Sequence, residues 1–201
     1  MKRIVAGFIL LLSTTAVSSA QSLTAADRDS AMKHLESTRQ GVVDATAGLS
    51  DAQWNFKAGA DRWSVAQVME HIAAAEDLMR GMIEGQVLKA PPRPAGEDAA
   101  AIDAMVLKAI PDRSHKAQAP EPLQPTNRFG SPQDALKHFL ESRSATEKLL
   151  NERPDLRDHA ADSPLGKKLD GYEWILFISA HSERHTKQML EVKADPNFPK
   201  K

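Results

Sequence analysis

The stretch "EWILFISAHSERHTKQMLEV", residues 173–192, decides how the chain is read. Trp174, Phe177, Ile178, His181, His185, Gln188 and Met189 recur at spacings of three and four, which predicts a helix over about Tyr172–Lys193 with these residues along or beside one face. Residues four apart on a helix stand one above the other, so His181 and His185 point the same way. They fall on the stripe of Trp174, Phe177 and Ile178, away from Glu183 and Arg184. Two imidazoles in an apolar seam leave ring nitrogens without partners, at a cost on the order of a few kcal/mol unless something binds them. A divalent metal is one answer; hydrogen bonding between the rings, or a wet surface, are the others.

The His-x-x-x-His spacing is weak by itself, because many helices carry it by chance. It is not a zinc-protease signature, which needs a Glu directly after the first His or directly before the second. Glu183 lies midway and projects about 200° round the helix from His181, so it cannot act as a base there.

A third imidazole strengthens the metal hypothesis. In "RWSVAQVMEHIAAAEDLMRGMI", residues 62–83, Ser64 is a good N-cap and Gln67 completes a capping box. Val68, Ile72, Ala75, Leu78, Met79 and Met82 form the stripe of the helix that follows. His71 lies on an adjoining row, Val68–His71–Ala75–Leu78. Two ligands from one helix and one from a facing helix is a way to build a site inside a bundle. Three neutral nitrogens leave a fourth position open, as in catalytic zinc sites. Ala73, Ala74 and Ala75 would leave room for a pocket. Glu70 is a candidate to support the site, with a solvent-facing carboxylate as the plainer reading.

Two more helices complete a set of four. The first covers roughly Thr24–Leu49, with Met32, Leu35, Val42, Val43 and Leu49 apolar. The third opens at Ser131–Pro132, a cap followed by proline at the first helical position, and buries Leu136, Phe139, Leu140, Ala145, Leu149 and Leu150. "GLSDAQWNFKAGADRW", residues 48–63, reads as a packed loop. Its Trp54, Phe56 and Trp63 either line a pocket mouth or pack plainly. "APPRP", residues 90–94, ends the second helix. "GEDAAAIDAMVLKAI", residues 96–110, predicts a short extra helix, and "PDRSHKAQAPEPLQPTNRFG", residues 111–130, a long crossover. No strand alternation is seen. The fold class is all-α, a four-helix bundle.

Composition narrows the function. The chain has no cysteine, so any metal must be held by His, Asp or Glu, and disulfides and thiol nucleophiles are excluded. A formal net charge of −1 with no basic block speaks against nucleic acid. His34 and His138 sit in helices near charged neighbours, so surface or partly buried positions are expected for them rather than ligation, and His115 and His159, in polar linkers, are expected to be solvated. Met69, Met79, Met82 and Met189 read as core filler. Residues 1–20 join a basic "MKR", the apolar "IVAGFILLL" and the small-residue "STTAVSSA". They predict a cleaved export signal ending at Ala20, a mature domain over 21–201, no membrane attachment after cleavage, and a periplasmic or secreted location.

"WNFKAGADRWSVAQVMEHIAAAED", residues 54–77, and "HSERHTKQM", residues 181–189, together resemble the signature of the DinB-like (DinB/YfiT-like) superfamily: an aromatic-rich loop, a Trp-Ser cap, a helix bearing Glu-His, then paired histidines with a nearby Gln. The resemblance covers most of the mature chain. It implies up-down-down-up helix order, with the long crossover between the second and third helices. It also implies a divalent metal, zinc or nickel, on His71, His181 and His185. Relatives include transferases and isomerases that use low-molecular-weight thiols, and hydrolase-like members, so a small-molecule substrate is expected. A homodimer paired through a helix face is a further expectation. An exported location departs from the cytoplasmic thiol chemistry and puts a thiol cosubstrate in doubt. The rival to an enzyme is a metal- or ligand-binding, stress-related protein without turnover.

Overall fold

Ser64 and Ser131 cap helices where their sequences place them, and Thr24 and Asp170 cap two more. At Thr24, Ser64 and Asp170 the cap side chain and the residue three further on satisfy each other's backbone amides, a reciprocal bond that is worth about 1 kcal/mol per cap. The computed structural model describes residues 22–200, and the predicted export segment lies outside them. Among the described residues the long helices are α1 (Ala25–Thr46), α3 (Val65–Gly85), α5 (Pro132–Glu152) and α6 (Gly171–Lys193), with shorter α2 (Asp51–Asn55) and α4 (Ala99–Ala109).

Cross-helix contacts fix the direction of each helix. Tyr172 Oη donates to the Asp27 carbonyl (2.9 Å) at the start of both α1 and α6, and Lys193 Nζ donates to Ala45 O (2.7 Å) at their ends, so these two run parallel. Arg143 reaches Leu35 O (2.7 Å) while Arg28 reaches Arg153 O (3.0 Å), so α1 and α5 are antiparallel. His71 in the first half of α3 meets His181 at the middle of α6 and His185 in its second half, so these also run opposite ways. The order is therefore up, down, down, up. The parallel step from α3 to α5 is what the long crossover makes possible. α4, the predicted extra helix, packs against α6.

Several expectations need correction. The segment 48–63 contains α2, opened by Ser50 and Gln53 in a capping box of its own. A two-stranded antiparallel hairpin, β1 (Ala160–Asp162) and β2 (Lys168–Asp170), precedes α6; three residues per strand are too few for alternation to register. Leu78 is 40% exposed, off the buried stripe. α1 ends before Leu49. On α5, Leu136, Leu140 and Ala145 are only half-buried, whereas Ser142, Arg143 and Thr146 are in the core. Ala73, Ala74 and Ala75 are packed rather than open, so their small size brings helices close instead of leaving a pocket.

The crossover is tied down along its length. The Arg184 guanidinium collects the carbonyls of Ile110 (3.2 Å), Asp112 and His115 (2.8 Å). A 3₁₀ turn at Glu121–Leu123 then inserts Leu123 into the core, and the segment closes against α3. No described helix is long and apolar enough to cross a membrane.

Candidate metal centre

α3 and α6 bring the three histidines to one point. Nε2 of His71 lies 3.1 Å from Nε2 of His185 and 3.2 Å from Nε2 of His181. One ligand atom from each ring lies within 4.8 Å of the other two. His71 and His185 are buried, and His181 is packed on nearly all sides while keeping an edge open to solvent.

The protein fixes two of the three tautomers. Nδ1 of His71 is 2.9 Å from the Leu123 carbonyl, and Nδ1 of His185 is 2.8 Å from Oε1 of Gln188. The same Gln188 atom takes a bond from Arg113 (3.4 Å); a guanidinium only donates, so that atom is the amide oxygen. Both Nδ1 atoms must therefore carry the proton, and both Nε2 atoms present lone pairs to each other. A proton on Nε2 of His181 could bridge one of the gaps at His71. The contact between His71 and His185 would still set lone pair against lone pair. A cation resolves all of this at once. Imidazoles held about 2.0–2.1 Å from a tetrahedral ion stand roughly 3.3 Å apart, close to the spacing found. Three neutral imidazoles suit a divalent transition metal, imidazole being a ligand shared by zinc, copper, iron and nickel.

Proton affinity follows from the same packing. Burial lowers the pKa of all three rings; for His181 and His185 the neighbouring imidazoles lower it further, to about 3 at His185. The rings are therefore neutral, ready ligands at neutral pH. The linkage has a definite sign. Below about pH 6.5 the unfolded chain protonates His185 and the folded one does not, so metal-free protein loses stability as the pH falls from there toward 3; the lowered His71 and His181 act in the same sense. His185 alone contributes a slope of about 1.4 kcal/mol per pH unit in that window. Glu173 opposes it between 4.5 and about 7, because burial and the adjacent Asp170 raise its carboxyl and the folded state holds that proton. The test is thus a comparison: between about pH 7.5 and about pH 5 the urea midpoint should fall less in His185→Gln than in the parent.

Aromatic rings flank the site. Trp63 lies with its centroid 5.0 Å from that of His71, and Phe177 stacks at 6.5 Å from His181. Of the three loop aromatics, only Trp63 reaches the centre; Trp54 is buried in the core and Phe56 packs edge-on against Phe198 at 5.5 Å. Met69, Met79 and Met189 are core residues, and Met82 packs half-buried against the cluster that holds Met79. His138 binds Asp77 (2.5 Å), which also takes a bond from the Ser142 hydroxyl. The carboxylate stands in the middle there, so no imidazole touches the hydroxyl and the trio is no nucleophile. His159 is not a solvated linker residue: its Nδ1 donates to Ala90 O (2.6 Å), holding the proline segment.

Glu70 turns away from the histidines and is not solvent-facing. It is 7% exposed, and its carboxylate accepts bonds from the backbone amides of Thr126 (2.7 Å), Asn127 (2.9 Å) and Arg128 (3.2 Å). Leu123, whose carbonyl orients His71, left no sequence signal because it acts through its backbone. Gln188 did leave one, lying one turn from His185 on the same face.

An up-down-down-up four-helix bundle with three histidines converging from two antiparallel helices defines a recognisable class, that of bundles with a metal-ligating interior. The DinB superfamily model matches residues 34–189, and the chain belongs to that family. The uncharacterized protein YuaE of Bacillus subtilis (strain 168) is 27% identical over 147 residues, covering 73% of this chain and 86% of that protein. Among solved structures, YfiT from Bacillus subtilis, described as a probable metal-dependent hydrolase with an unusual four-helix bundle topology, superposes with a TM-score of 0.55 at 15% identity, covering 89% of this chain and 93% of that one. At that identity the likeness concerns the fold.

Proposed function

We infer that this protein is an exported metal-dependent enzyme of hydrolase or transferase type, acting on a small molecule at a divalent ion held by Nε2 of His71, His181 and His185. The observation that carries this is the pair of Nε2 lone pairs forced to face each other at 3.1 Å by the partners of their Nδ1 atoms. His71, His181 and His185 would hold the ion as neutral ligands, and zinc or nickel there would supply a Lewis acid able to lower the pKa of a water or thiol.

The chain's own part is to hold the rings neutral and aimed, and to bound the site with Trp63 and Phe177. The description of YfiT favours hydrolysis over group transfer. Export would take the protein away from cytoplasmic thiols and points the same way; secreted material beginning at Gln21 would establish it.

The test has two stages. Protein stripped of metal and reloaded with zinc or nickel should hold about one equivalent; less than about a tenth of an equivalent of any transition metal would end the proposal. Loaded protein is then offered simple esters and amides, and electrophiles with a thiol. One observation favours a second reading, a binding protein without turnover: Glu70, the nearest candidate base in sequence, is committed to the crossover. Stoichiometric metal with no turnover of any of these substrates would favour it.

A further inference from the structure

We propose that Glu70 is the positioning residue of the metal centre, acting through the crossover: by gripping the amides of residues 126–128 it holds the Leu123 carbonyl against Nδ1 of His71, and so keeps Nε2 of that ring an aimed lone pair. This rests on the proposed metal reading but can be tested apart from it.

Consecutive residues of α3 take hold of the same loop. His71 donates to Leu123 O at 2.9 Å. Glu70 accepts from three successive backbone amides, from the Thr126 hydroxyl (3.4 Å) and from Nε of Arg128 (3.2 Å). Three adjacent N–H groups can converge on one carboxylate only if the chain curls, and Asn127 supplies the curl with φ of 61°, the left-handed region that Asn tolerates better than most residues. Arg128 then braces the loop from within. Its guanidinium donates to Pro122 O (2.8 Å) and Gln124 O (2.7 Å), the carbonyls on either side of Leu123. The Leu123 carbonyl is thus held by a frame that meets α3 through the buried Leu123 side chain and, besides the His71 ring itself, through the Glu70 carboxylate.

A histidine ligand needs its second nitrogen engaged to choose the tautomer and orient the ring. For His185 that partner, Gln188, comes from the same helix, with a longer bond from Arg113 added to it. For His71 it comes from a loop 52 residues away in sequence, which must be anchored before it can do the job. A carboxylate beside the ligand is an economical anchor, because any movement of the loop relative to Glu70 is also movement relative to His71. Glu70 touches neither the ring nor the site, so its role is to position another group.

The test uses full-length Glu70→Gln, which keeps the shape but turns an NH₂ toward backbone N–H groups, and Asn127→Ala, which leaves α3 intact and strains the curl. Glu84→Gln, an exposed change on the same helix, is the control. The first readout is the nitrogen-15 spectrum of the His71 ring in metal-free protein. The parent and the control should show the Nδ1–H tautomer, and both loop variants a mixture, with faster hydrogen exchange at residues 126–128. The second is affinity for zinc, which should weaken by about 10–100-fold in Glu70→Gln and by less in Asn127→Ala. If the loop amides exchange faster while the His71 tautomer stays that of the parent, the proposal is wrong. An unchanged zinc affinity beside an altered tautomer would also overturn it. If the parent itself binds no metal, the metal reading fails, while the tautomer still decides whether Glu70 positions His71.

Discussion

Replacing His71 with alanine should weaken zinc or nickel binding by at least about 100-fold, because losing only a supporting hydrogen bond to a ligand already costs about 10–100-fold. The bundle should stay folded. His71 shares no salt bridge, and its removal ends the unfavourable approach of its Nε2 to that of His185, 3.1 Å away. What is lost is the donor to Leu123 O, which stays buried beside the core. Calorimetric titration gives the affinity and circular dichroism the fold. A thermal melt gives an independent measure: at a metal concentration of 100 times Kd the parent gains about 2.7 kcal/mol, which for a domain of this size raises Tm by about 5–10 °C. The alanine variant should show no such rise at the same concentration. A variant that binds as tightly as the parent would mean that the metal sits elsewhere or on other residues.

The positions of the three histidines were legible for a simple reason. Periodicity tells which way a side chain points along its own helix, so His181 and His185 could be placed on one face and His71 on another core-facing row. That the two faces meet depends on helix order, which the crossover length allowed and the family resemblance supplied. Bonds made through backbone atoms left nothing to read: the Leu123 carbonyl and the amides around Glu70 have the same chemistry in every residue, and only the folded loop brings them to α3. The short hairpin and α2 escaped for want of length, since three to five residues show no period. Arg143 and Glu76 are a different case, because the signal was present. Phe139, Arg143, Thr146 and Leu150 follow one buried stripe of α5, and Ile72, Glu76, Met79 and Ile83 one of α3. A charge on each of two apolar stripes marks a buried pair.

Arg143 and Glu76 are 0% and 1% exposed. The guanidinium gives two bonds of 2.8 Å to the Glu76 carboxylate and others to Leu35 O (2.7 Å), Thr38 Oγ1 (2.9 Å) and Ser182 Oγ (2.8 Å), so all five of its N–H groups are used. Those acceptors lie on α1, α3 and α6, and the arginine itself on α5; one side chain ties together all four long helices. Arg143→Met should therefore destabilise the protein by about 3–5 kcal/mol, because Glu76 is left as a buried charge without its counter-ion. The double variant with Glu76→Leu should recover most of this loss, since an apolar pair of similar volume removes the stranded charge. Urea denaturation of the four proteins in the cycle separates the pairwise interaction from the rest. A loss below about 1 kcal/mol in Arg143→Met would show that water or a rearranged Glu76 replaces the guanidinium easily. If the double variant instead regains stability but binds zinc less tightly, the network's use lies in the register it imposes: Ser182 adjoins His181, and a bundle free to slip by a fraction of a turn would keep its core and lose the convergence of its three rings.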